Sequence, residues 1–174
     1  LALCADITKN RFSAYTRKYL EDFIKTSQFE STPLIGKKPK LPIDGILIGG
    51  CISLVAALCG SEFQPQFKNR ILFLEDIKEE PYCIDRMLTQ LSQQKDFKYL
   101  KAIIFGEFFE CTSEKPNYGT IDTVLQKFAK SHSIPVFTNL PYGHQPDRRQ
   151  IPIGLHVTID ESALLNFAPY PSKK

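Results

Sequence analysis

No Cys-x-x-Cys pair occurs in these 174 residues, so neither a zinc site nor a thioredoxin-like redox motif is supported. No apolar run approaches the roughly 20 residues of a membrane helix. The longest candidates, Ile46–Gly50 and Ile52–Cys59, are broken by glycines or polar residues. No basic segment followed by a long apolar one opens these residues, so no signal peptide is expected among them. Charge of one sign is scarce. Lys+Arg 22 against Asp+Glu 19 leaves +3, far from the concentrated positive face of a nucleic-acid binder. We expect no nucleic-acid partner and no membrane partner. Internal repeats and low-complexity tracts are absent too.

What remains is a globular composition, 43% apolar and 24% charged. It excludes a disordered chain, a collagen and a coiled coil, and the length suits one domain with a real core. Cys4, Cys51, Cys59, Cys83 and Cys111 are few, odd in number and widely spaced. They read as free thiols in a reducing compartment. The chain begins at Leu1, and Met87 is its only methionine. We expect it to be a piece of a longer or processed chain.

Periodicity predicts alternating helices and strands. Tyr15, Tyr19, Phe23 and Ile24 form a helical stripe over Ser13–Ser27. Glu30–Pro42, with three prolines, reads as a loop. Strands are expected near 45–49, 71–75, 100–105 and 135–140, with a late one over Pro152–Ile159. Helices are expected over Ile52–Leu58, near 82–93 and near 120–130, and a last short one opening at Asp160. Asn117–Gly119 reads as a turn. The alternation predicts an α/β architecture.

In such sheets functional groups gather beyond the carboxyl ends of strands. Gly49-Gly50-Cys51, Glu75-Asp76, Gly106-Glu107 and Gly143-His144 fall at expected strand ends. A carboxylate and a histidine meeting there would form the base half of a nucleophile–His–acid arrangement, the acid fixing the imidazole tautomer. His132 reads as a surface residue and His156 as a packed or edge residue. Asp147-Arg148-Arg149 reads as a solvated patch, with a substrate carboxylate as its alternative partner. No His, Asp or Glu cluster has ligand spacing, so no metal is expected.

The stretch Gly49-Gly50-Cys51-Ile52-Ser53-Leu54 through Leu58-Cys59-Gly60-Ser61 resembles the "GGN-L…L-GT" segment of the LD-carboxypeptidase family, which includes the microcin-immunity peptidases. Ile71-Leu72-Phe73-Leu74-Glu75-Asp76 resembles its "ILFLED" strand, and Tyr82 through Leu91 the helix after it. Ile103-Ile104-Phe105-Gly106 resembles "GII-G-F". Leu140-Pro141-Tyr142-Gly143-His144 and Ile151-Pro152-Ile153-Gly154 resemble "LP-GH" and "P-G". These elements keep the family's order over roughly residues 45 to 160.

The resemblance implies a Ser–Glu–His triad split between two domains. Glu75 matches the glutamate and His144 the histidine, and the two are expected to meet on one face at the ends of neighbouring strands; the serine belongs to a Gly-x-Ser-Asp turn in an N-terminal domain. No Gly-x-Ser-Asp occurs in this chain. It therefore resembles the C-terminal domain, of swivelling β/β/α fold. Residues 1–42 are expected as interdomain helix and linker, 43–168 as the domain and 169–174 as a loose tail. Gly49, Gly50 and Cys51 are expected to line the substrate groove. Cys51 stands where the family usually has Asn, which puts substrate preference in question. Cys51 either packs at a helix start or, with a pKa lowered there, acts as a nucleophile toward His144.

Three functions follow from the resemblance. The first is that the chain is the C-terminal half of a serine LD-carboxypeptidase expected to release terminal D-Ala from murein tetrapeptides in the cytoplasm. Alternatively it is half of a microcin-immunity-type peptidase, a branch that stacks aromatics on a nucleobase, whereas this chain has no Trp. Or it is a truncated, non-catalytic interaction domain. Its expected partners are a serine-bearing N-terminal domain and a murein peptide. No cofactor is expected, and the resemblance allows a homodimer.

Overall fold

The computed structural model describes residues 13–113 and 119–170. Helix α1 spans Ala14–Thr26. The Ser13 side chain caps it by accepting from the Thr16 N–H, and Ser27 ends it in a left-handed conformation. Two short strands follow, β1 (Thr32–Pro33) and β2 (Ile35–Gly36). The central run is β3 (Ile43–Cys51), α2 (Ile52–Ala57), β4 (Arg70–Ile77), α3 (Pro81–Ser92), β5 (Ala102–Phe109), α4 (Ile121–Ser131) and β6 (Val136–Thr138). The hairpin of β7 (His156–Ile159) and β8 (Leu164–Phe167) closes it.

Strands β3, β4, β5 and β6 are parallel neighbours, each joined to the next through a helix. Helices α2, α3 and α4 share one face. Ile52, Val55, Ile84, Leu88, Leu91, Val124 and Phe128 pack there against Leu72, Leu74, Ile103 and Phe105. Ile71, Phe73, Ala102, Ile104 and Phe137 point the other way, into a second core with Leu34, Val157, Ile159 and Leu165. Strand β4 is apolar on both faces because both are covered.

The sheet order is β1-β8-β7-β3-β4-β5-β6-β2. The strands at its two edges are consecutive in sequence, with Leu34 between them. Thr32 pairs with Leu165 and Ile35 with Thr138, and the Leu34 N–H donates to the Ala163 carbonyl at 2.9 Å. Residues 32–36 therefore draw the two edges together. The result is a nearly closed β-barrel with helices packed on its outside, an α/β fold as expected.

Several local expectations change. Glu30–Pro42 is not wholly loop, since it supplies this seam. Gly49–Cys51, Glu75-Asp76 and Gly106-Glu107 lie inside strands, because pairing with neighbours carries β3, β4 and β5 beyond their apolar stretches. Strand β6 is shorter than expected, and Pro152–Leu155 precedes β7 rather than forming it. Asp160 opens no helix. Its carboxylate accepts from the backbone N–H groups of Ser162 and Leu164 and so builds the β7–β8 turn. Asn117 and Tyr118 of the expected turn, residues 1–12 and residues 171–174 lie outside the described residues.

Candidate active site

Successive residues of a strand point to opposite faces, and the end of β4 uses this to separate two acids. The Asp76 carboxylate turns toward α2, where Oδ2 accepts the Ser53 N–H at 3.0 Å and Oδ1 accepts the Cys51 thiol at 3.1 Å. Glu75 turns to the other face. Its Oε2 lies 2.8 Å from Nδ1 of His144. The Glu75 side chain is 4% exposed and that of His144 38%.

Burial holds the Glu75 carboxyl above the usual glutamate range; the hydrogen bond and charge of His144 oppose the shift, and Asp76 adds to it. In its ionised form Glu75 only accepts, so Nδ1 carries the proton and Nε2 is left as the acceptor. An imidazole held this way, with its outer edge in solvent, can take a proton from a nucleophile brought to it.

The two residues were expected at the ends of neighbouring strands. They are not neighbours, because His144 follows β6 and β5 lies between. Two features of β5 let the loop reach across. Between the paired positions Leu74–Phe105 and Asp76–Phe108, β5 carries one extra residue, a bulge at Gly106-Glu107. That bulge frees the Glu107 N–H, which donates to the Tyr142 carbonyl at 2.9 Å. Gly106 then supplies clearance. A Cβ there would lie 2.6 Å from the Tyr142 carbonyl oxygen and 3.3 Å from Cβ of Glu75. Next, Gly143 adopts φ +150°, and a Cβ on it would meet Glu107 at 3.0 Å. Tyr142 sets its ring edge-on to Phe73, with 5.2 Å between centroids.

Gly49, Gly50 and Cys51 end β3, and Cys51 pairs in register with Glu75. A side chain at Gly49 would overlap the Phe73 carbonyl, whereas Gly50 faces open space. The Cys51 thiol donates to Asp76, and burial, foremost, pushes its pKa up. This is the opposite of an activated thiolate, and among the described residues no hydrogen bond joins Cys51 to His144. The Cys51 nucleophile reading is therefore dropped; the thiol packs at the start of α2.

His132 stacks on Phe128 with 4.2 Å between centroids, and its Nδ1 lies 2.9 Å from the Phe128 carbonyl. His156 sits on β7, paired with Ile46 and exposed. The Arg149 side chain is largely withdrawn from solvent, at 16% exposure. It stacks 4.2 Å over Tyr19 and donates to Tyr15 Oη and Thr32 Oγ1. Sequence reasoning missed Asp76 as the residue that anchors α2, and the clearance role of Gly106. The signal for the latter was a glycine ending the apolar run Ile103–Phe105.

The model of the LD-carboxypeptidase C-terminal domain matches residues 44–159. The chain belongs to the LD-carboxypeptidase C-terminal domain family. A solved muramoyltetrapeptide carboxypeptidase from Oxalobacter formigenes superposes on this LD-carboxypeptidase domain with a TM-score of 0.79 and 33% identity, covering 91% of this chain and 56% of that one. The murein tetrapeptide carboxypeptidase of Pseudomonas aeruginosa is 29% identical over 72% of this chain and 41% of its own length. The microcin C7 self-immunity protein of Escherichia coli is 30% identical over 68% of this chain and 34% of its own. The domain thus spans about two fifths of the curated relatives it matches. Among the described residues, no helix is long and apolar enough to cross a membrane.

Proposed function

We propose that this domain supplies the acid and the base of a serine LD-carboxypeptidase, and that a serine-bearing N-terminal domain completes the site. The 2.8 Å contact between His144 Nδ1 and Glu75 carries the reading. In the complete enzyme the serine hydroxyl gives its proton to His144 Nε2 and attacks the carbonyl of the L,D-peptide bond. His144 then returns the proton to the amine of the departing D-Ala, and water hydrolyses the acyl-enzyme by the same route. Glu75 fixes the imidazole and stabilises its protonated form. Gly49, Gly50 and Cys51, beside Glu75 in the sheet, form the floor of the substrate groove.

The murein tetrapeptide is the substrate this reading favours. What supports it is the solved muramoyltetrapeptide carboxypeptidase, which matches the domain at 33% identity with a TM-score of 0.79. The described cysteines are free, which suits a reaction in the reducing cytoplasm.

The test joins this chain with a serine-bearing N-terminal half from a family member and measures D-Ala release from murein tetrapeptide. Activity is expected only in the mixture. His144→Ala should lower it by about a thousandfold or more, and Cys51→Ala should leave it within a few-fold. Turnover by the lone chain, or undiminished activity in His144→Ala, would overturn the proposal. Cleavage of a peptidyl-nucleotide instead of murein would move the domain to the microcin-immunity branch. An inactive mixture that still associates would mark an interaction domain.

A further inference from the structure

We propose that helix α1 is a positioning element for His144, acting through Thr16. The proposal rests on the reading of His144 as the base. The loop from Pro141 to Arg149 carries the histidine. Its near end is pinned to β5 through the Glu107 N–H and the Tyr142 carbonyl. Its far end is held by α1, beside the contact of Arg149 with Thr32 of β1. Thr16 Oγ1 donates to the Pro146 carbonyl at 2.9 Å and accepts the Arg148 N–H at 3.0 Å. A third bond comes from Ser13 Oγ at 3.1 Å. One donor and two acceptor positions are all that a hydroxyl offers, and all are used.

The burial of α1 is unusual in the same way. Ile24 is exposed and Phe23 half-buried, whereas Thr16, at 4% exposure, is its one buried residue. The threonine's hydrogen bonds thus dock the first turn of the helix on the loop, while Phe23 stacks on Phe29 farther along it. Arg149 makes the second attachment. Its N–H closes the loop onto the Pro141 carbonyl at 2.8 Å, while its guanidinium holds Tyr15 and Tyr19 of α1. The His144 side chain is 38% exposed. Its aim at Glu75 therefore depends on a loop fixed at both ends, and a loose far end would let the ring swing off the carboxylate.

The experiment uses the chain as it stands, in wild-type, Thr16→Val and Thr16→Ser forms. Valine keeps the shape and removes the hydroxyl; serine keeps the hydroxyl. Long-range proton–nitrogen spectra read the His144 tautomer and its Nδ1–H hydrogen bond, and amide exchange reads the loop. In Thr16→Val we expect Arg148 amide exchange to rise by about tenfold or more and the single Nδ1–H tautomer to be lost. Thr16→Ser should match wild type. A folded Thr16→Val chain with an unchanged His144 signature would overturn the proposal. Should Thr16→Val not fold, the wild-type Arg148 amide decides. Slow exchange that opens together with α1 supports the proposal, and exchange at the rate of a free loop sinks it. None of these readouts needs turnover, so failure of the catalytic reading, seen as undiminished activity in His144→Ala, is distinguishable from failure here.

Discussion

Glu75 combines near-complete burial with a single strong partner, and this sets its pH behaviour. Its folded pKa is raised, chiefly by burial. A carboxyl raised on folding binds its proton more tightly in the folded chain than in the unfolded one. Stability therefore falls as pH rises from the ordinary glutamate value through the raised one. We expect thermal unfolding of the wild-type chain, followed over about pH 4–8, to show this decline and Glu75→Gln to flatten it. Gly106 is the complementary case, a residue that acts by having no side chain. In Gly106→Ala the new Cβ meets the Tyr142 carbonyl and must push the His144 loop away from Glu75. A displacement of that kind should lower kcat of the reconstituted halves by roughly ten- to a hundredfold, and the unfolding temperature should fall as well, because the atom that must yield is backbone.

Helix α2 is too short to be stable by itself, having six residues and no side-chain cap from its own N-cap, Cys51. Asp76 anchors it from the adjacent strand by accepting from Ser53 and Cys51. Asp76→Ala leaves the half-buried Ser53 N–H without its acceptor and should destabilise the chain by about 1–2 kcal/mol, read by urea denaturation. Cys51→Ala, which removes a weak thiol donor, should cost clearly less. The pair Glu75-Asp76 thus divides its work by strand alternation, one acid toward His144 and one toward the helix. The sequence displayed both acids, and the strand's pleat decided which faced the histidine.

Over the whole molecule, closure of the barrel depends on residues 32–36. Leu34 is 7% exposed and packs in the core inside the barrel. Leu34→Ala should destabilise the chain by about 2–3 kcal/mol, because the seam cannot collapse into the space left behind. In hydrogen exchange, the Leu34 amide should open with the strands it joins and not with the neighbouring prolyl segments. A seam amide that exchanges as fast as an exposed loop would mean that the sheet is open in solution. The same seam brings Thr32 under Arg149, so barrel closure and the attachment of α1 meet at one guanidinium.

The apolar runs, the helical stripes at 82–93 and 120–130, and the glycine and proline punctuation were enough to set the α/β alternation. Those signals are local, and each element buries the face its own period defines. Glu75 and His144 were named from residue resemblance. Tertiary structure decided the rest. Pairing across strands extended β3, β4 and β5 past their apolar residues, so expected loops became strand ends. The bulge at Gly106-Glu107 exists only relative to β4, and the seam at 32–36 only relative to two distant edges. Thr16 gives no signal in the helical pattern, because what buries it is a loop 130 residues away. Periodicity reports which face of an element is apolar. Which hydroxyl, glycine or carboxylate meets a distant backbone group is fixed only when the chain has folded.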